Sequence, residues 1–103
     1  MKHIMVRYTV KAERAKENAR LIEEVFGALQ RASPGGLRYA SYRLDDGVTF
    51  VHVASVDDPN ANPLQALESF KTFTAGVRDR CDVLPVTSVL HEVGRYDGSN
   101  ASR

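Results

Sequence analysis

The sequence predicts an α+β domain in which a four-stranded antiparallel sheet carries two helices on one face. Three observations predict this fold: two segments with helical periodicity, four segments that alternate like strands, and an Asp-Gly turn between the second and third strands. The resulting order is the ferredoxin-like βαββαβ arrangement. The chain has 103 residues, which suits one domain over residues 1–96 with a polar, flexible tail over residues 97–103.

The first two elements follow from a change of period along the chain. Apolar residues alternate with others from His3 to Val10, which is typical of a strand. From Ala12 to Ala32 they recur every three or four residues, which is typical of an amphipathic helix. The Ser-Pro-Gly-Gly segment at 33–36 ends this helix, because proline cannot continue it and glycine allows a left-handed turn.

The second and third strands, Leu37–Leu44 and Val48–Val56, are predicted to form a hairpin. The Asp-Gly pair at 46–47 tolerates positive φ and therefore favours a two-residue loop. This loop places Ser41 opposite His52, and directly opposed residues share a face of the sheet.

The second helix is predicted over Leu64–Arg80, with Asn62 as its cap and Pro63 in its first turn. Its inner stripe is predicted to consist of Leu64, Leu67, Phe70, Thr74 and Val77. The valine-rich segment Val83–Tyr96 is predicted to be the last strand.

Both faces of the predicted sheet carry apolar side chains. The hairpin register puts Phe50 and His52 on one face of the third strand, and Val51 and Val53 on the other. Two helices cover only one face of such a sheet, so a second copy of the chain is the simplest cover for the other. We therefore predict a homodimer that forms through the sheet face.

Composition excludes several classes of function. The formal net charge is +1, which gives no support for nucleic-acid binding. No apolar run approaches the ~20 residues of a membrane span, and Arg7 interrupts the first apolar segment where a signal peptide would need a continuous one. We therefore predict a cytoplasmic protein with neither a nucleic-acid nor a membrane partner.

Metal binding is also not predicted. Cys81 is the single cysteine, which excludes a multi-cysteine metal site. The three histidines, His3, His52 and His91, fall on separate predicted strands without the spacing of a metal motif.

Three segments carry a resemblance to a known family: PGGLRY at 34–39, YRLDDGVTFVH at 42–52 and VGRY at 93–96. With the element order, they resemble the antibiotic biosynthesis monooxygenase superfamily over about residues 3 to 96. The resemblance implies a dimeric α+β barrel, in which two ferredoxin-like sheets lie face to face and a pocket lies between each sheet and its helices. Some members oxidise polycyclic phenols or quinols with O₂ and neither metal nor flavin, and others bind and degrade haem.

The residues that accompany haem degradation in this superfamily are an Asn on the first strand and a His and a Trp in the second half. The first strand of this chain has Arg7 and no Asn, the second helix has no His, and the chain has no Trp. The sequence therefore predicts no haem and no other cofactor.

His52, Tyr39 and Ser41 are the candidate catalytic residues. In the predicted register Ser41 lies opposite His52 and Tyr39 lies diagonal to it. A histidine in this setting could remove the proton of an acidic phenol, while Tyr39 or Ser41 holds the oxyanion. The alternative is a hydrogen-bonded histidine in a core or a dimer interface.

Four further residues are candidates for substrate binding. Arg7 could neutralise an anionic ligand or form an ion pair between chains. Phe50, Phe70 and Phe73 could line an aromatic pocket or form ordinary core.

The predicted function is that of a cofactor-independent monooxygenase-like protein acting on a small aromatic or quinol compound. The alternative is a non-catalytic dimeric module that binds a small ligand or only assembles. An open apolar pocket of ~300 Å³ or more with convergent polar groups favours the enzyme, and a closed dry space favours the module.

Overall fold

The computed structural model describes residues 1–98 and confirms the predicted βαββαβ order. The elements are β1 (Lys2–Val10), α1 (Ala15–Ala32), β2 (Leu37–Arg43), β3 (Thr49–Val56), α2 (Glu68–Arg80) and β4 (Cys81–Leu90). The four strands form one antiparallel sheet in the order β2-β3-β1-β4. Both helices contribute buried residues to one core with the sheet, which is the ferredoxin-like arrangement.

The hairpin between β2 and β3 has the predicted register. Ser41 pairs with His52, so both side chains lie on the same face of the sheet. The loop is wider than the two residues predicted, because the Asp46 carboxylate accepts hydrogen bonds from the backbone amides of Val48 and Thr49 and from the Thr49 hydroxyl. The Val48 amide would otherwise bond to Asp45 in a two-residue loop, and the ladder here closes instead with the Leu44 amide donating to the Thr49 oxygen.

The predicted second helix is two segments. Asn62 caps a short 3₁₀ turn, Pro63–Ala66, as expected, but the extended backbone of Leu67 separates this turn from α2. The predicted inner stripe faces the sheet: Leu64, Leu67, Phe70 and Val77 pack in or against the core. Thr74 has an exposed side chain but lines the cavity between the sheet and α2, and Phe73 beside it is more deeply buried.

The last strand begins and ends earlier than predicted. It starts directly after α2 at Cys81 and ends at Leu90, which pairs with His3. Beyond that pair β1 has almost no residues left to bond, so residues 91–98 belong to no helix or strand. Of the predicted tail, residues 99–103 lie outside the described part of the chain.

The sheet has one face buried under the helices and one face turned away from them, which we call the outer face. The outer face carries Met5, Arg7, Tyr42, Val51, Val53 and Val86. Val86 is 61% exposed and Tyr42 is 59% exposed, so apolar area lies open on this side of the chain. Within residues 1–98 no helix is long and apolar enough to cross a membrane.

Arg80, at the end of α2, is buried against the rest of its own helix. Its guanidinium donates to the backbone oxygen of Phe73 at 2.9 Å and lies over the Phe73 ring. Gly76 makes room for it: a Cβ at this position would lie 2.9 Å from Arg80 Nη1.

We predict that Gly76→Ala lowers the free energy of unfolding by roughly 1–2 kcal/mol, although Gly→Ala within a helix ordinarily raises it by about 1 kcal/mol. Gly27→Ala in α1 is the matched control, since its Cβ would meet only the exposed Arg31 at 3.4 Å. Urea unfolding of both variants tests this. An equal gain in stability for both would show that Arg80 moves away freely.

Candidate functional site

A cavity of about 200 Å³ lies between the sheet and α2 and is partly open to solvent. Its wall is mainly apolar and includes Ile4, Val6, Leu64, Phe70, Phe73 and Val77. Six side chains with polar groups line it as well: Tyr8, Tyr39 and His52 from the strands, and Asn62, Gln65 and Thr74 from α2 and the turn before it. The alternation of β1, β2 and β3 brings Tyr8, Tyr39 and His52 to the same face, under the helices.

His52 is the centre of the polar group. Its Nδ1 lies 2.8 Å from Tyr39 Oη and 2.7 Å from Ser41 Oγ, and its Nε2 lies 2.7 Å from Tyr8 Oη. Both ring nitrogens therefore have partners within the protein. The Tyr8 and Tyr39 rings also stack on the imidazole, at centroid distances of 5.4 and 5.9 Å.

Burial sets the charge of these groups. It lowers the pKa of His52 to about 4, so the imidazole is neutral at pH 7. Burial also raises the pKa of the Tyr8 phenol well above its ordinary value, and the hydrogen bond from Asn18 offsets part of this rise. The pKa of Tyr39 is raised by burial as well, and a hydrogen bond with Ser41 partly lowers it.

A buried arginine lies behind the pocket. Arg80 is 2% exposed, and within residues 1–98 no carboxylate forms an ion pair with it. Its Nε donates to Asn18 Oδ1 at 2.9 Å, and Asn18 Nδ2 donates to Tyr8 Oη at 3.0 Å. Burial lowers the pKa of the guanidinium, and hydrogen bonds to neutral oxygens hold the side chain in place.

The structure brings together five of the seven residues singled out in the sequence. Tyr39, His52, Phe70 and Phe73 line the cavity, and Ser41 contacts it through His52. Arg7 lies on the outer face, opposite Val51 and Val86, so it does not reach this cavity within one chain. Phe50 is buried and stacks on Tyr8, and it does not line the cavity.

Sequence reasoning missed Asn18 and Arg80. Asn18 is fully buried and belongs to the inner stripe of α1, three residues after Ala15 and four before Ile22. A polar residue in an apolar stripe was the signal that could have found it. Arg80 falls seven residues after Phe73, on the same face of α2, and this helical spacing was the signal that could have found it.

Metal binding is a further function that a cluster of polar side chains could support. Within the described residues, no group of three or more His, Cys, Asp and Glu side chains could hold a metal ion.

Comparisons with known proteins place the chain by its fold. In sequence, it matches no described protein family and no curated protein. In structure, it resembles an antibiotic biosynthesis monooxygenase, with a TM-score of 0.75 and 18% identity over 91% of this chain and 100% of that one. It also resembles Rv0793 from Mycobacterium tuberculosis, with a TM-score of 0.75 and 14% identity over 93% and 98% of the two chains.

A third similar structure is a mutant of SnoaB, a cofactor-independent oxygenase from Streptomyces nogalater. Its TM-score is 0.67, with 16% identity over 91% of this chain and 94% of that one. The predicted resemblance to antibiotic biosynthesis monooxygenases is therefore confirmed for the fold. At 14–18% identity the likeness shows the fold alone.

We predict that neutral His52 makes the protein less stable in acid. The unfolded chain protonates this imidazole below about pH 6.5, whereas the folded one stays neutral down to about pH 4. The unfolded state thus binds more protons in this window, so the free energy of unfolding falls by roughly 3 kcal/mol between pH 7 and pH 4.

The His52→Gln variant is the control for this prediction, because glutamine has no ionisable ring. Its stability should change little between pH 6.5 and 5, where the wild type already loses stability. Parallel curves from urea unfolding across this range would contradict the assigned neutral state.

Proposed function

We propose that this chain is a cofactor-independent monooxygenase that acts on a small phenol. The single observation that carries the proposal is the His52–Tyr39–Ser41 cluster at one end of a mainly apolar cavity. The fold shared with a cofactor-independent oxygenase supports the same reaction class. In this proposal Tyr39 contacts the phenol oxygen, and His52 and Ser41 position Tyr39.

The reaction needs an electron-rich substrate rather than a redox group on the protein. An ionised phenol donates an electron to O₂ far more readily than the neutral phenol does, and an apolar cavity keeps water from the reacting carbon. With 1-naphthol as the example, C₁₀H₈O and O₂ give C₁₀H₆O₂ and H₂O. One oxygen atom enters at the carbon para to the hydroxyl, and the other leaves as water.

Cavity size limits the substrate. A volume of about 200 Å³ falls below the ~300–1,000 Å³ of most ligand sites. We therefore propose a compound of one or two fused rings, which is narrower than the polycyclic phenols that the family resemblance suggested. The aromatic side chains of Phe70 and Phe73 stack on or border such a ring system.

A second candidate is a non-catalytic module that binds a small ligand. Two observations favour it: protein groups occupy both nitrogens of His52, and the cavity of about 200 Å³ is smaller than the ~300 Å³ expected of an enzyme pocket. In that case the cavity binds an aromatic compound without changing it.

Turnover of 1-naphthol under air tests the proposal, with O₂ consumption and 1,4-naphthoquinone as the readouts. Tyr39→Phe should lower the rate by about 100-fold, because it removes the hydroxyl at the reacting oxygen and keeps the ring stacked on Phe26. His52→Ala should abolish turnover. Tyr96→Phe, at an exposed tyrosine that does not line the cavity, is the matched control and should leave the rate unchanged.

The two candidates give different results in this experiment. Binding of 1-naphthol without O₂ consumption would support the module and reject the enzyme. Equal rates for Tyr39→Phe and the wild type would remove Tyr39 from the mechanism.

We also propose that the chain forms a homodimer through its outer face. Apolar side chains such as Val86 and Tyr42 are exposed there, and the two central strands add Met5 and Val53 to the same surface. A second copy would cover this surface and would place Arg7 in the interface. The cytoplasm stays the predicted compartment, on composition alone.

We predict that the wild type sediments at micromolar concentration with about twice the mass of one chain. Val53→Lys puts a charge at the centre of the outer face and should yield a folded monomer. Gln30→Lys, on the exposed side of α1, adds the same charge elsewhere and should stay dimeric. A wild-type monomer would contradict the proposed interface.

A further inference from the structure

A chain of hydrogen bonds runs behind the pocket from Arg80 through Asn18 and Tyr8 to His52. The buried arginine determines which group donates and which accepts at each step. An arginine side chain has donors only, so the Asn18 amide must turn its oxygen towards Arg80 Nε. The Asn18 nitrogen then faces Tyr8 Oη at 3.0 Å, and it can only donate. Arg80 thus determines the orientation of the Asn18 amide.

Tyr8 accepts from Asn18 and therefore donates its own proton to His52. The Tyr8 oxygen already accepts from Asn18, and the side chain is only 1% exposed. The acceptor in reach of its remaining proton is His52 Nε2, at 2.7 Å. A proton on Nε2 would leave the Tyr8 proton without an acceptor in a buried site, which folded proteins rarely tolerate.

His52 therefore carries its proton on Nδ1. This N–H faces Ser41 Oγ and Tyr39 Oη, at 2.7 and 2.8 Å, and donates to them. The Tyr39 oxygen accepts from this N–H, so its own O–H is left for the cavity that Tyr39 lines.

We infer that Tyr39 presents a hydrogen-bond donor to the cavity, and that the site takes compounds through an acceptor oxygen. The substrate class is an aromatic oxyanion, the ionised form of a small phenol, and a bicyclic aryl ketone is its neutral mimic. This inference rests on the proposed function and refines it: the cavity binds the phenol already ionised, and His52 does not act as the base. Arg80 and Asn18 are positioning residues, since they lie behind Tyr8 and contact no ligand.

The substitution Asn18→Asp tests the direction of the chain. A carboxylate accepts from Arg80 and also from the Tyr8 hydroxyl, so Tyr8 would then accept from His52 Nε2–H. The tautomer of His52 should change from Nδ1–H in the wild type to Nε2–H in the variant. Nitrogen-15 NMR of the imidazole distinguishes the two, because protonated and unprotonated ring nitrogens resonate in separate ranges.

Two ligands of the same shape test the donor itself. 1-Tetralone has a carbonyl acceptor and tetralin does not, and neither is oxidised in the assay. The wild type should bind 1-tetralone about fivefold more tightly than tetralin, the effect of one net hydrogen bond. Asn18→Asp should lose this preference, because Tyr39 and Ser41 would then donate towards His52 Nδ1, while its affinity for tetralin should not change.

The outcomes separate this inference from the proposed function. An Nε2–H tautomer in the wild type would overturn the inference even if 1-naphthol is oxidised. An Nδ1–H tautomer with a preference for 1-tetralone would support it even if 1-naphthol is not oxidised. If Asn18→Asp does not fold, the nitrogen-15 spectrum of wild-type His52 and the affinities of the wild type for 1-tetralone and tetralin still test the inference. Equal affinity for the two ligands would overturn it.

Discussion

The burial of Arg80 is the constraint on which the rest of the site depends. A guanidinium that is 2% exposed needs acceptors for its protons, because burial without them is strongly unfavourable. Here the acceptors are the Phe73 carbonyl and the Asn18 side chain, so one cation connects α2 to α1. Asn18 then connects the helices to Tyr8 on β1. The polar end of the cavity is therefore connected by hydrogen bonds to α2, α1 and β1.

Much of the fold could be predicted from local patterns. Alternation along β3 and the Asp-Gly turn were sufficient to place Ser41 opposite His52, which is the pairing that the structure shows. The end of β4 could not be predicted in this way. Val93 continues the apolar alternation of the strand, but β1 begins at Lys2 and so offers no partner beyond Leu90. Strand length is set by pairing between distant segments, which a single segment does not encode.

The candidate site could be predicted only in part, because contacts within one hairpin follow from local patterns and contacts between distant elements do not. His52, Tyr39 and Ser41 lie on neighbouring strands, so their proximity followed from one register. Asn18 and Arg80 lie on separate helices, 62 residues apart, and meet only when both helices pack on the sheet. The position of Arg7 could have been predicted, because the alternation of β1 places its side chain on the outer face and away from the cavity.

The size and polarity of the cavity determine which compounds the proposed reaction could use. An apolar volume of about 200 Å³ with Tyr39 at its end has room for a small ring system and one oxygen contact. The most direct test is a crystal structure of the protein with 1-tetralone bound. Our account places the carbonyl oxygen about 2.7 Å from Tyr39 Oη, with the rings against Phe70 and Phe73. An empty cavity, or a ligand whose oxygen points away from Tyr39, would contradict it.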